Sequence, residues 1–169
     1  MRSKKPQLTM DAVYTKPGYL FRRMQQIAVA IFVEECQAFD ITPVQYAALV
    51  AIRTHPGIDA TRLSAVIAFD RSTLGKVIER LEAKSYIVRK PASYDKRVKL
   101  LYLTRSGASL LRDITPSVDR AQARMLQPLK SGERKTLMAL LAQLVDRNND
   151  ASRVPLRAEE ALEHLWTAG

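Results

Sequence analysis

The sequence has 169 residues, with 27 Lys plus Arg against 17 Asp plus Glu, two His and one Cys, and a net charge of +10. Its length and its 47% apolar share suit one globular domain with an appended helical part, and no apolar run reaches the roughly 20 residues needed to span a bilayer. The basic stretch 1–10 leads into no apolar core, so no secretory signal is expected and the chain is assigned to the cytoplasm; Cys36 makes no intramolecular disulfide and forms no ligand cluster with His55 or His164, so no metal or other cofactor is expected.

In chain order, Pro17 and Gly18 open a helix on which Leu20, Met24, Ile27 and Ile31 form one stripe and Phe21, Ala28, Phe32 and Phe39 a second. A surface helix needs one apolar stripe of about 100°, so the surplus calls for a covering surface such as another subunit. Asp40-Ile41-Thr42-Pro43 ends this helix and caps the next, 44–54, which stops at His55-Pro56-Gly57. Two short units follow, 59–67 and 70–84, each opened by an aspartate suited to N-capping. In the longer one Leu74, Val77, Ile78 and Leu81 make a buried face and leave Arg71, Ser72, Thr73, Lys76 and Arg80 on other faces, which reads as helix-turn-helix.

The β-rich runs 86–90 and 98–103 flank the basic loop 91–97 and predict a hairpin. Thr104 caps a long helix from 105 to about 125, bent at Pro116, with Leu110, Leu111, Ile114, Val118 and Ala121 apolar. Ser131 caps a further helix lined by Leu137, Leu140, Leu141, Leu144 and Val145; residues 147–155 read as a linker to a short helix ending near Trp166.

Charge is concentrated in the middle of the chain. Residues 61–105 carry 11 basic and 4 acidic groups, a net +7, while the flanking segments are nearly balanced. Such a cluster is the footprint of a polyanion site. Two short helices followed by a hairpin with a basic tip are the order of a winged helix-turn-helix, in which the second helix enters the major groove. Arg71 suits a bidentate contact to guanine, and the hydroxyls of Ser72 and Thr73 can reach bases or phosphates. Lys76 belongs to the same first turns. Arg80 and Lys84 suit either phosphate contact or intrahelical pairing with Glu79 and Glu82. Arg89, Lys90, Lys96 and Lys99 supply general phosphate attraction, and Arg97 is long enough to enter a minor groove. Asp95 would repel phosphate, so it is read as the partner that orients Arg97.

The sequences Asp70-Arg71-Ser72-Thr73-Leu74, Ile78-Glu79-Arg80-Leu81-Glu82 and Asp95-Lys96-Arg97, the last followed by Leu103-Thr104-Arg105-Ser106-Gly107, resemble the multiple-antibiotic-resistance regulator (MarR) family of bacterial transcription factors. The resemblance covers about residues 17 to 147. It implies a mainly α fold with a small β-hairpin wing: one domain over 1–169, with dimerisation helices at 17–40 and 105–147, a winged helix-turn-helix lobe at 42–104, and a linker and C-terminal helix at 148–169. The implied assembly is a homodimer on a pseudo-palindromic double-stranded DNA operator, with half-site centres about 34 Å apart. The family's recognition-helix contacts fall on 71–76 and its minor-groove arginine on Arg97.

The resemblance also implies control by a small anionic aromatic compound bound between the dimerisation helices and the DNA-binding lobe. The matching surface is Tyr19, Arg22, Arg23, Met24, Ile27, Ile31, Val44 and Tyr46, where the Arg22-Arg23 pair suits a carboxylate on an aromatic ring. Segments 17–23 and 42–46 look like members that sit beside aromatic-acid catabolism genes, and a free aromatic acid and its coenzyme A thioester both fit. The expected function is therefore a homodimeric, sequence-specific repressor released by such an effector, with no membrane partner and no enzymatic activity. The competing readings are a non-specific architectural nucleic-acid-binding protein and a redox-sensing regulator acting through Cys36. Glu34 and Glu35 beside that thiol would suppress its thiolate. An enzyme is disfavoured by the absence of a Gly-rich cofactor loop or a nucleophile arrangement.

Overall fold

The computed structural model describes residues 9–159. A short helix that the sequence reading did not include, α1 (Met10–Tyr14), precedes α2 (Pro17–Glu35), which starts at Pro17 as expected. α2 ends before residue 40. A 3₁₀ turn at Gln37–Phe39 follows, and Asp40 takes a left-handed conformation with φ 48°, which an aspartate tolerates and a helix interior does not.

The next helices begin where short polar side chains satisfy their first N–H groups. In α3 (Pro43–Thr54), the Gln45 N–H donates to Thr42 Oγ1 at 3.4 Å and the Thr42 N–H donates to Gln45 Oε1 at 2.9 Å. Asp59 accepts from the N–H groups of Thr61 and Arg62 at 2.8 and 3.0 Å to open α4 (Ala60–Val66), and Asp70 accepts from the Thr73 N–H at 3.0 Å to open α5 (Arg71–Ala83). Leu74, Val77, Ile78 and Leu81 of α5 are buried, the face the spacing selects.

The wing hairpin is formed by β2 (Ile87–Pro91) and β3 (Lys99–Leu103), with Arg89 opposite Leu101. A third strand, β1 (Ile58–Asp59), joins the other edge of β3 and gives the sheet order β1-β3-β2. Two residues are too few for alternation to show in a sequence. The strand forms because Gly57, at φ 86°, turns the chain so that its N–H reaches the Leu101 carbonyl at 2.9 Å and Ile58 enters the core.

α6 (Arg105–Leu126) is capped by Thr104, whose hydroxyl accepts from the Gly107 N–H at 3.0 Å, and it runs unbroken through Pro116. Its buried residues include Leu110, Leu111, Ile114, Val118 and Ala121, the residues the periodicity selects. α7 (Ser131–Arg147) corrects one expectation. Its cap residue is Lys130 and Ser131 is the first helical position, because the Glu133 carboxylate accepts the Lys130 N–H at 2.7 Å and closes the turn one residue early.

The core lies between α3, α4, α5, the sheet and the first half of α6, with Leu49, Ile52, Leu63, Leu74, Leu81 and Leu111 all fully buried. Each such side chain is worth about 1.5–3 kcal/mol of burial. α2 lies along α6, where Arg124 pairs with both Glu34 and Glu35 at 3.0 Å. α7 contributes no buried residue, and it exposes Met138, Leu140, Leu144 and Val145. The segment read as a linker is tied down. The Asn149 side chain bonds both backbone groups of Leu156, and the Arg157 N–H reaches the Ala65 carbonyl at 3.1 Å. The helix expected near Trp166, and His164, lie outside the described residues.

Candidate nucleic-acid interface

α5 presents one buried and one open face. Arg71, Ser72 and Thr73 occupy its first turn, and Lys76 and Arg80 follow it along the exposed side. Arg71 has no hydrogen-bond or ion-pair partner among the described residues. Its side chain lines a groove of about 540 Å³ that runs from α5 to the wing and is also lined by Arg62, Arg89, Arg97 and Lys99, with Asp59 and Glu79 as its acidic members. α5 and the wing thus converge on one predominantly basic concavity.

At the wing tip, Arg97 and Asp95 form the pair that the sequence suggested. The Arg97 N–H donates to Asp95 Oδ1 at 2.9 Å, and its Nε and Nη2 donate to Oδ2 at 3.2 and 3.0 Å. The guanidinium holds the Asp95 carboxyl below the usual carboxylate range, yet the Arg97 side chain is 92% exposed. Tyr94 beside it is also exposed.

The other basic residues divide by whether an acid already holds them. Arg89 of β2 pairs with Glu82 of α5, which pins the wing to that helix and lowers the Glu82 pKa. Lys84 pairs with neither Glu79 nor Glu82. Its Nζ donates to the carboxylate and to the backbone carbonyl of Asp40, each at 2.5 Å, which fastens the end of α5 to the turn after α2. Lys90 sits 5.2 Å from the centre of the Tyr102 ring, and Lys96 is exposed on the loop. Arg62 was missed in the sequence. It lies in the first turn of α4, 3.6 Å from Asp59, and only the tertiary approach of β3 brings it to the groove.

The base of the wing is a knot built from Thr104-Arg105-Ser106-Gly107. The Thr104 hydroxyl lies 2.7 Å from the Ser85 carbonyl, the Ser106 hydroxyl donates to that same carbonyl at 2.6 Å, and the Thr104 N–H bonds the Tyr86 carbonyl at 3.0 Å. A Cβ on Gly107 would sit 2.2 Å from the Tyr86 carbonyl oxygen, so only glycine fits.

The suggested effector residues are placed less compactly. Arg22 and Arg23 both donate to Gln26 Oε1, at 3.2 and 3.1 Å, and Arg22 also lies over the Tyr19 ring at 4.9 Å. Met24 and Ile27 are exposed on α2, while Ile31 and Val44 are half-buried. Tyr46 packs against Phe32 and lines a separate 460 Å³ concavity with Val50, Thr54, His55 and Ile67. Cys36 is 1% exposed, and burial first, then the Glu35 carboxylate, push its thiol pKa up.

The profile of the MarR family matches residues 39–98. The chain is 30% identical to the HTH-type transcriptional repressor NicR of Pseudomonas putida over 134 residues, which cover 79% of this chain and 85% of that one. It is similar in structure to Bordetella bronchiseptica BpsR, whose DNA binding is regulated by 6-hydroxynicotinic acid (TM-score 0.73, 28% identity, 79% of this chain and 95% of that one). It is also similar to a mutant MarR from Escherichia coli complexed with operator DNA (TM-score 0.74, 26% identity, 82% of this chain and 99% of that one).

Proposed function

Because the chain belongs to the MarR family of transcriptional regulators, we propose that it is a homodimeric repressor that reads a pseudo-palindromic operator and lets go when a small aromatic carboxylate binds. The observation that carries the DNA reading is the convergence of Arg71 on α5, which has no partner among the described residues, and the pre-positioned Arg97 of the wing on one basic groove. In this reading Arg71 contacts base edges, Ser72, Thr73 and Lys76 share the first turns, and Arg97 enters the minor groove. Lys90, Lys96 and Arg80 attract phosphates, Arg89 does so from its place against Glu82, and Asp95 orients Arg97.

Dimerisation is supported by the apolar side chains that one protomer leaves uncovered, among them Leu20, Phe21, Met24 and Ile27 of α2 and Leu140, Leu144 and Val145 of α7. The effector site proposed is the surface formed by Tyr19, Arg22, Arg23, Met24, Ile27, Ile31, Val44 and Tyr46, completed by the second protomer. An aromatic carboxylate is supported by the regulation of BpsR by 6-hydroxynicotinic acid.

Footprinting on the gene's own upstream region tests the proposal. The expected result is two protected half-sites one helical turn apart, lost on addition of an aromatic acid. A thermal-shift series of aromatic acids and their coenzyme A thioesters identifies the effector, since a ligand at 100 times its Kd adds about 2.7 kcal/mol to native stability. If neither class raises the melting temperature, the effector assignment fails. If no site is protected, the repressor reading fails.

A further inference from the structure

We infer that Ser72 reads the operator as a hydrogen-bond acceptor, taking the exocyclic amino group of an adenine or a cytosine, beside an Arg71 that can only donate. This rests on the DNA-reading role proposed for α5 and assigns the polarity of its first turn.

The Ser72 Oγ lies 2.5 Å from Asp70 Oδ1. The Asp70 carboxyl is held below the usual carboxylate range by its hydrogen bonds to Ser72 and Thr73 and is therefore ionised at neutral pH. An ionised carboxylate accepts only, so the one hydroxyl proton of Ser72 points at Asp70 and its oxygen keeps only lone pairs for a partner. Phosphate oxygens, guanine O6 and N7, adenine N7 and thymine O4 are all acceptors. In the major groove the donors are the adenine N6 and cytosine N4 amino groups. A serine held this way has no hydrogen bond to offer a phosphate.

Two neighbours hold Ser72 in that role. The same Asp70 oxygen receives the Thr73 N–H at 3.0 Å and the Thr73 hydroxyl at 3.2 Å, so the carboxylate that keeps the serine proton is fixed as the helix cap. Turning the serine outward would give up a charge-assisted bond, and the Asp70 charge disfavours a phosphate at that spot. Arg71, one position earlier, has no partner among the described residues and carries donors only, suited to guanine O6 and N7. Adjacent side chains of opposite polarity thus discriminate adjacent base edges.

The test uses the full-length protein and a half-site defined by footprinting. Each adenine is replaced in turn by purine, which lacks the N6 amino group, and each cytosine by 2-pyrimidinone, which lacks the N4 amino group. The Kd is measured for the wild type and for Ser72→Ala, which keeps the Asp70 to Thr73 cap and whose melting curve checks folding. At one position, removing the amino group should weaken the wild type about tenfold and leave Ser72→Ala unchanged. The variant thereby controls for the weakened base pair. The inference is overturned if Ser72→Ala is neutral, or if its loss is coupled to a methylphosphonate at a single phosphate and to no amino group. Failure of the wild type to tell operator from scrambled duplex sinks the DNA reading itself, whereas selective binding without a coupled amino group sinks this inference alone.

Discussion

Arg97 is oriented before any partner arrives, because Asp95 accepts from its backbone N–H and from two nitrogens of its guanidinium. An arginine already held in one geometry has less side-chain freedom left to lose when a partner binds. Asp95→Ala should therefore weaken DNA binding up to about fivefold, although it removes a negative charge from a protein meeting a polyanion. Charge alone gives the opposite sign, so an anisotropy titration of this variant separates orientation from simple attraction. The pair's pH behaviour follows from the direction of the shift. Asp95 has a depressed native pKa, so its contribution is complete above the unfolded value near 3.9 and is lost only as pH falls through the lower native value. The ratio of wild-type to Asp95→Asn affinity should stay constant from pH 5.5 to 8, and a titration within that window would contradict the assignment. Cys36 is a second residue-scale case. Buried and with its pKa raised, its thiol should react with Ellman's reagent only as the protein unfolds, and Cys36→Ser should bind DNA as the wild type does before and after peroxide. Rapid native labelling, or peroxide sensitivity lost in the variant, would revive the redox reading.

The elements differ in how they are stabilised, and this decides which of them the sequence disclosed. α3, α4, α5 and α6 were legible because Thr42, Asp59, Asp70 and Thr104 cap within three residues, and the buried faces of α5 and α6 repeat at helical spacing. β1 was not, since a two-residue strand exists only through its tertiary partner Leu101. The start of α7 slipped by one residue because a glutamate three positions on competes with a serine as the source of the cap. The wing motif was read as a pattern, and its physical content is the Ser85 to Gly107 knot. Gly107→Ala, with a Cβ 2.2 Å from a backbone oxygen, should destabilise the fold by about 1–3 kcal/mol through overpacking, measured by urea denaturation; an unchanged midpoint would show that the knot has slack. α7 has no buried face in one protomer. If α7 forms part of the proposed dimer interface, Leu144→Glu should lower the mass that the wild type shows in light scattering with little loss of lobe structure by circular dichroism, and a variant of unchanged mass would contradict that placement. The surface proposed for the effector was selected by residue type alone and encloses no cavity of its own in this chain, because α2 is open on the side where Leu20, Phe21, Met24 and Ile27 point outward.

For the molecule as a whole, the net +7 of residues 61–105 is sharpened by the ion pairs. Arg62, Lys84, Arg89 and Arg97 are each held by an acid. Arg71, Lys76, Arg80, Lys90, Lys96, Lys99 and Arg105 have no acidic partner among the described residues, and these make up the free positive surface. Two such lobes on one duplex would neutralise several phosphates each, and 6–10 contacts correspond to a fall in affinity of about 10³–10⁵ between 50 and 200 mM salt. The most direct measurement compares operator with scrambled duplex over that salt range for the wild type, Arg71→Ala and Lys90→Ala. Arg71→Ala should lose about 1–3 kcal/mol on the operator and little on scrambled DNA, while Lys90→Ala should weaken both alike and flatten the salt slope. Equal losses on both duplexes for Arg71→Ala, or a wild type that binds them equally, would contradict the claim that this helix and wing read sequence.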